Sequence, residues 1–281
     1  MMTYKEQKES FKKAKTTKGA FRAAWCNAPA HKSYQHYTSL DTVLKIIMSE
    51  RLILSRGDSA KLNDLREGKK FGGDPERMKR SYIACFGHGA GESVAMWGLY
   101  GKSNSLAVRI TIPGAAMAEW IRNIRFVADN KPVTAKADFR DVVYAAFTDK
   151  TYTDEWDIRR TNALRWEDSV FCCKSADCFR RELQNKKYGG WVKDYEWHYE
   201  RETRLYALLP KEIGNEPLFA VVPKEAIAAM RFTFSPWADD TMAKVVEKSI
   251  KAALEAIGIS TTKPKFQRFR RSVLQGALNF K

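Results

Sequence analysis

The chain has 281 residues, of which 44% are hydrophobic and 12% aromatic, and its formal net charge is +16. It is long enough to bury a substantial core, too apolar to be a disordered chain, and free of any apolar run near the ~18 residues of a membrane span. The charge sits at the ends: residues 1–32 hold eight Lys/Arg against two Glu and residues 261–281 hold six against none, leaving +4 for the 228 residues between.

In chain order, residues 1–33 read as a basic helix or arm, with Phe11, Phe21 and Trp25 available for packing. "YQHYTSLDTVLKII" then opens the fold proper over 34–260: His36, Tyr37 and Thr38 precede a helix whose apolar stripe runs through Val43, Leu44 and Ile47. Ser39 is placed to cap it, and His36 is expected to end the extended segment and point across the helix mouth. Short β-branched and aromatic runs predict strands at 52–55, 81–86, 105–112, 142–147, 203–209, 218–222 and 230–234. Helices are predicted at 40–50, 91–100, 114–122, 154–168, 178–184, 223–229 and 239–257. Strands and helices do not alternate regularly, so the fold class is α+β rather than a doubly wound sheet. Residues 261–281 form a basic tail that interleaves Phe266 and Phe269 with Arg268, Arg270 and Arg271, a mixture suited to phosphates and unpaired bases.

Three stretches could carry chemistry. In "YERETRLYALL" the chain reads as a plain strand beyond Arg201, and Glu200, Glu202 and Arg204 are expected to line up on one face, because residues two apart do so. Paired carboxylates beside an arginine hold a fixed anion, which suits a reaction in which positive charge develops on a sugar ring. The alternative is an ion-pair ladder on a surface strand, worth little. "AMWGLYG" puts Trp97 and Tyr100 on a short helix, as core residues or as a platform for a flat ring. "LNDLREG" supplies Asn63, Asp64 and Glu67 in a polar turn.

Five cysteines, Cys172 and Cys173 adjacent, make an odd set with no disulfide frame, and the polar N-terminus has no apolar signal core. Both point to a reducing cytoplasm. Cys172, Cys173, Cys178 and His198 match no standard zinc spacing, so no metal is expected, and there is no Walker loop or nucleophile elbow.

Taken in order, "YQHYTS", "LNDLREG", "YIACFG", "AMWGLYG" and "YERETRLYALL" resemble a large bacterial family of unknown function. Its members read H-Y-T-S, N-D-x-x-E, C-F-S, M-W-x-x-Y and Y-E-x-E-x-R. The resemblance covers about residues 34–235 and departs at Gly87, where Ser is usual, and at Leu65, where Pro is common. That family is in turn similar to the ADP-ribosyltransferases. The resemblance implies split mixed and antiparallel sheets with flanking helices, and NAD as substrate. Carried over residue by residue, His36 would contact the NAD ribose and carboxamide. Tyr100, or alternatively Tyr37, would stack on nicotinamide. Glu202 would hold the ribose hydroxyl and stabilise the cationic sugar. Thr38, Asn63, Trp97, Glu200 and Arg204 would line the same site.

Because the basic ends lie outside the resembling core, the expected acceptor is a nucleic acid, RNA and most naturally mRNA. The resemblance extends to the toxins of phage-defence toxin–antitoxin–chaperone systems, which would make an antitoxin and a chaperone partners. Other readings remain open: the same transfer to DNA or protein, or a non-catalytic nucleic-acid-binding module. A hydrolase using Glu200 and Glu202 is disfavoured, because same-strand neighbours do not flank a sugar.

Overall fold

The computed structural model describes residues 3–25, 31–59, 74–89, 91–102, 104–146, 162–262 and 268–276. In chain order the helices are α1 Tyr4–Lys12, α2 Thr17–Ala24, α3 Leu40–Ser49, α4 Pro75–Lys79, α5 Val94–Gly101, α6 Gly114–Arg122, α7 Ala176–Leu183, α8 Lys224–Ala229 and α9 Asp240–Ala256. The strands are β1 Ser33–Ser39, β2 Arg51–Arg56, β3 Ser81–His88, β4 Ala107–Pro113, β5 Phe126–Ala128, β6 Lys131–Val133, β7 Lys136–Asp141, β8 Val143–Ala146, β9 Ala163–Trp166, β10 Ser169–Cys172, β11 Val192–Asp194, β12 Glu202–Leu208, β13 Leu218–Val221, β14 Arg231–Phe234 and β15 Phe269–Arg270. The pairing is mixed parallel and antiparallel, so the α+β class holds. Among the described residues no helix is long and apolar enough to cross a membrane.

The chain divides into two interleaved compact units. The first contains Met1–Ala30, Leu54–Cys85 and Thr134–Glu216; the second contains His31–Ile53, Phe86–Val133 and Pro217–Lys281.

In the first unit, β10, β9, β8 and β11 form a four-stranded sheet, antiparallel except for the β8–β11 pair. β12 pairs antiparallel with β7 and also pairs with β3. The N-terminal residues are part of this unit rather than a loose arm. A capping box between Thr3 and Glu6 starts α1, and Phe11 and Phe21 are buried in one core with Leu164, Trp166, Phe179 and Val192, with Trp25 packed against it.

In the second unit, β15, β14, β4 and β1 lie side by side, and β1 continues onto Gly87 and His88 of β3. The Ser39 hydroxyl accepts from Thr42 N, as its position before the apolar stripe requires, and α3 packs on α9. Their buried residues are Val43, Ile46 and Ile47 on α3, and Ala243, Val246, Ile250, Ala253 and Leu254 on α9. At the start of α6 the backbone comes so close that a Cβ on Gly114 would lie 2.0 Å from the His31 carbonyl oxygen. Gly114→Ala should therefore cost about 1–3 kcal/mol through forced backbone shifts, read as a lowered melting temperature. A neutral melt would show that the approach relaxes freely.

Several expectations need correction. The predicted helix at 154–168 reaches past the described residues at its start, but at its end Ala163–Trp166 is a strand, paired in a hairpin with Ser169–Cys172. His36 does not end the extended segment: β1 continues through Ser39, because Tyr37, Thr38 and Ser39 stay paired with Arg109, Val108 and Ala107. Asn63, Asp64, Glu67, Phe147 and Phe266 lie outside the described residues. In the described part of the tail, Arg268 is buried and Phe269 stacks on Phe232 and Phe234 with centroids 5.7 and 6.2 Å away.

Candidate functional site

The first unit holds a buried charge cluster on β12 and β11. Glu202, the first residue of β12, is 3% exposed, and the Arg204 guanidinium grips it in a fork. Arg204 Nε donates to Glu202 Oε1 at 2.6 Å and Nη2 to Oε2 at 3.1 Å. The third guanidinium nitrogen donates to the Gly190 carbonyl at 2.6 Å. Gly190 has φ +84°, a conformation that other residues adopt at a cost, and a Cβ there would lie 3.1 Å from the Tyr206 ring. Lys193 on β11 completes the set: its Nζ lies 3.0 Å from Glu202 Oε2 and also donates to Glu200 Oε2. Two acids and two bases, all buried, thus cancel in charge, which a buried ionic set needs to persist.

Glu200 reaches this cluster by a different route from strand alternation. Residues Tyr195–Glu200 form a 3₁₀ turn, and Arg201 takes a left-handed conformation at φ 43° before β12 begins. The strand starts at Glu202, one residue before the predicted 203, so Glu200 lies outside it and joins through Lys193. Backbone anchors fix Glu202 further: its N–H donates to the Tyr144 hydroxyl at 2.8 Å, and its carbonyl accepts from Val142 N at 2.8 Å. Next to it, Asp141 accepts from Thr203 Oγ1 at 2.6 Å and from Trp166 Nε1 at 3.0 Å.

Burial alone would push the Glu202 carboxyl up. The Arg204 and Lys193 charges overrule it and hold the group well below the usual carboxylate range, with the Cys85 thiol as a further donor. The same burial, and the Glu202 charge, push the Cys85 thiol and the Tyr144 phenol up. A depressed folded-state pKa contributes stability in full above the ordinary carboxylate range. Below that range the unfolded chain takes up a proton that the folded chain refuses, so the contribution fades as pH falls. Urea unfolding across acidic pH should show this slope in the natural chain and a shallower one in Glu202→Gln. Parallel slopes would refute the assignment.

The second unit holds the rest of the expected set, and β1 sorts it onto two faces. His36 and Thr38 point one way and Tyr37 the other, as alternation along a strand requires. The half-buried His36 ring lies 5.7 Å from Phe86. Tyr37, on the opposite face, meets Trp97 edge-on at 5.0 Å within a cluster that includes Met96, with Tyr100 packed against it. Tyr37, Trp97 and Tyr100 therefore come together and His36 does not join them. Burial pushes the Tyr37 phenol up, against the Arg109 charge, while its hydroxyl accepts from Ser93 N at 3.2 Å.

Glu92, which the sequence did not single out, organises this second cluster. Its side chain is 4% exposed and accepts from Trp97 Nε1 at 3.0 Å, Ser272 Oγ at 2.6 Å and Val273 N at 3.0 Å. Arg109 lies 3.8 Å away and donates to Thr233 Oγ1 and the Gly91 carbonyl. Lys193, Gly190, Tyr144 and Asp141 were missed as well. The one local signal was a lysine inside the apolar "WVKDY" strand, a cation that must find a buried acid.

No protein-family model matches the chain, and no curated protein matches it. Solved structures similar to it include Thermus sp. 2.9 DarT in complex with NAD+, at 10% identity and TM-score 0.36, covering 87% of this chain and 97% of that one. The same protein in complex with carba-NAD+ gives 12% identity, TM-score 0.36 and coverage of 88% and 98%. In complex with ADP-ribosylated ssDNA it gives 11% identity, TM-score 0.35 and coverage of 89% and 97%. These values are too low for any assignment to rest on them.

Proposed function

We propose that this chain is an NAD-dependent ADP-ribosyltransferase with a nucleic-acid acceptor. The observation that carries the reading is the Glu202 carboxylate, held as an anion in a buried setting by Arg204 and Lys193. Breaking the bond between nicotinamide and ribose leaves positive charge on the sugar, and a preorganised anion stabilises that charge where little water screens it. Nicotinamide leaves with the bonding electrons, and a nucleophile of the acceptor forms the new bond at the ribose carbon. Supporting this are the motifs of the resembling family, which occur in this chain in the same order.

The roles are assigned residue by residue within each unit. Glu202 stabilises the cationic sugar, with Arg204 and Glu200 holding its surroundings. By the same resemblance His36 and Thr38, on one face of β1, are assigned to the NAD ribose and carboxamide; Tyr100 or Tyr37, gathered with Trp97 on the other face, is assigned to nicotinamide stacking, and Asn63 to the lining. The acceptor is RNA, mRNA first. The setting is a cytoplasmic toxin of anti-phage defence with its antitoxin and chaperone. One observation favours a second reading, a non-catalytic nucleic-acid-binding module: at 3% exposure, Glu202 is as buried as a purely structural ion pair.

Incubation with labelled NAD and RNA, DNA or cell lysate separates these readings. Label in RNA is expected; label only in DNA or protein moves the acceptor, and no NAD turnover in any mixture leaves the binding module. His36→Ala should weaken NAD binding in calorimetric titration while leaving the thermal melt nearly unchanged. A lowered melt with unaltered NAD affinity would make His36 a packing residue against Phe86.

A further inference from the structure

We infer that a basic cavity in the first unit, between residues 14–18 and residues 171–182, grips the phosphate backbone of a nucleic acid. The cavity encloses about 580 Å³ and is lined by Lys15, Lys18 and Lys174, with Thr16, Thr17 and Ser175 between them. All three lysines are exposed, and among the described residues no carboxylate pairs with any of them within 4.0 Å. Other lysines near α1 and α2 do have carboxylate partners: Lys8 lies 3.6 Å from Asp168, and Lys12 and Lys13 share Glu9. Glu182, the carboxylate in the lining, feels the Lys18 charge from more than 4.0 Å, but its direct partners are the Tyr188 hydroxyl at 2.5 Å and Lys187 at 3.2 Å. Three ammonium groups around one concavity repel one another, and a bound polyanion relieves that repulsion.

Two of these hydroxyls fit the same ligand, while the buried Thr17 hydroxyl donates to Cys173 Sγ. Thr16 Oγ1 accepts from Gly19 N, and Ser175 Oγ accepts from Cys178 N. With those oxygens used as acceptors, each O–H remains available to donate, and an anionic oxygen is the acceptor it suits. Nothing in the lining offers an exposed aromatic face, since Phe171 is buried. The contact is therefore to phosphate rather than base, and it positions a strand without reading its sequence. This inference rests on the reading of the chain as acting on a nucleic acid, and it places the grip in this cavity.

The test uses the full chain, RNA and DNA oligonucleotides, and the triple variant Lys15→Gln/Lys18→Gln/Lys174→Gln. For single strands, log affinity falls against log salt with a slope of about −0.7 per neutralised phosphate, so the variant should flatten that slope by about 2 with either nucleic acid. Cys172 and Cys178 line the same cavity and are exposed, so saturating oligonucleotide should slow their alkylation several-fold, read peptide by peptide in a mass spectrometer. NAD cleavage should continue in the variant while transfer to the oligonucleotide falls. An unchanged salt slope, or thiols unprotected at saturation, overturns the inference. A chain that cleaves no NAD at all would defeat the proposed transferase instead, leaving slope and thiol protection to decide the cavity by themselves.

Discussion

Glu202→Gln should lower NAD-dependent turnover by about 10²–10³ or more, the usual effect of removing one preorganised charge from a transition state. It should also destabilise the protein. The substitution keeps the shape but leaves Arg204 and Lys193 buried with one anion, Glu200, between them. Removing one member of a buried ionic set costs about 3–5 kcal/mol. The two losses can be separated. Adding Lys193→Met restores charge balance, so the double variant should regain much of the melting temperature and none of the activity, a non-additivity expected of residues in contact. Glu200→Gln should cost less in rate, because Glu202 keeps both cations. Near-normal turnover in Glu202→Gln with Glu200→Gln inactive would exchange the two roles. Activity in both variants, measured where both are folded, would remove the site.

The contrast between these carboxylates shows what a sequence makes legible. β12 was readable because Leu205 and Ala207 continue an apolar run, and pairing of Glu202 with Arg204 follows from two-residue alternation. Its first turn was not readable, since nothing local announces that Arg201 adopts φ 43°. Lys193 and Gly190 enter through contacts 7 and 14 residues away along the chain, outside the two-residue alternation of the strand. The hairpin at 163–172 failed for a related reason. Leu164 and Trp166 alternate inward over too few residues to be told from a helix face, and the turn carries Glu167 at φ 54° instead of the Asn-Gly or Asp-Gly that marks such hairpins. Helix α3 succeeded because cap, stripe and length all agreed. Of the candidate site, residue types and strand positions were legible. The separation of His36 from Tyr37 was already implied by alternation once β1 was known to run through both.

Deleting residues 268–281 should lower the melting temperature by roughly 10 °C, whatever it does to nucleic-acid binding. Arg268 O accepts from Phe232 N at 2.7 Å, and β15 pairs in parallel with β14, so deletion unpairs a strand and uncovers Phe232 and Phe234. Exposing large apolar side chains costs about 1.5–3 kcal/mol each when the exposure is complete. Glu92 loses Ser272 Oγ and Val273 N together and keeps Trp97 Nε1 and the more distant Arg109. Hydrogen bonds to a charged group contribute about 1.5–3 kcal/mol, and a buried carboxylate stripped of two donors recovers little from water. At about 2–4 °C per kcal/mol for a chain of this size, even a partial sum reaches the stated shift. An arm serving only to hold RNA would behave otherwise, with an unchanged melt and a flatter salt dependence. Arg270→Gln provides the comparison, because Arg270 is exposed on the edge strand while Arg271 is tied to the Ala238 and Asp239 carbonyls. The melt of Arg270→Gln should match the natural chain. If the deleted protein melts normally, the segment is not part of the fold and Glu92 has found its partners elsewhere.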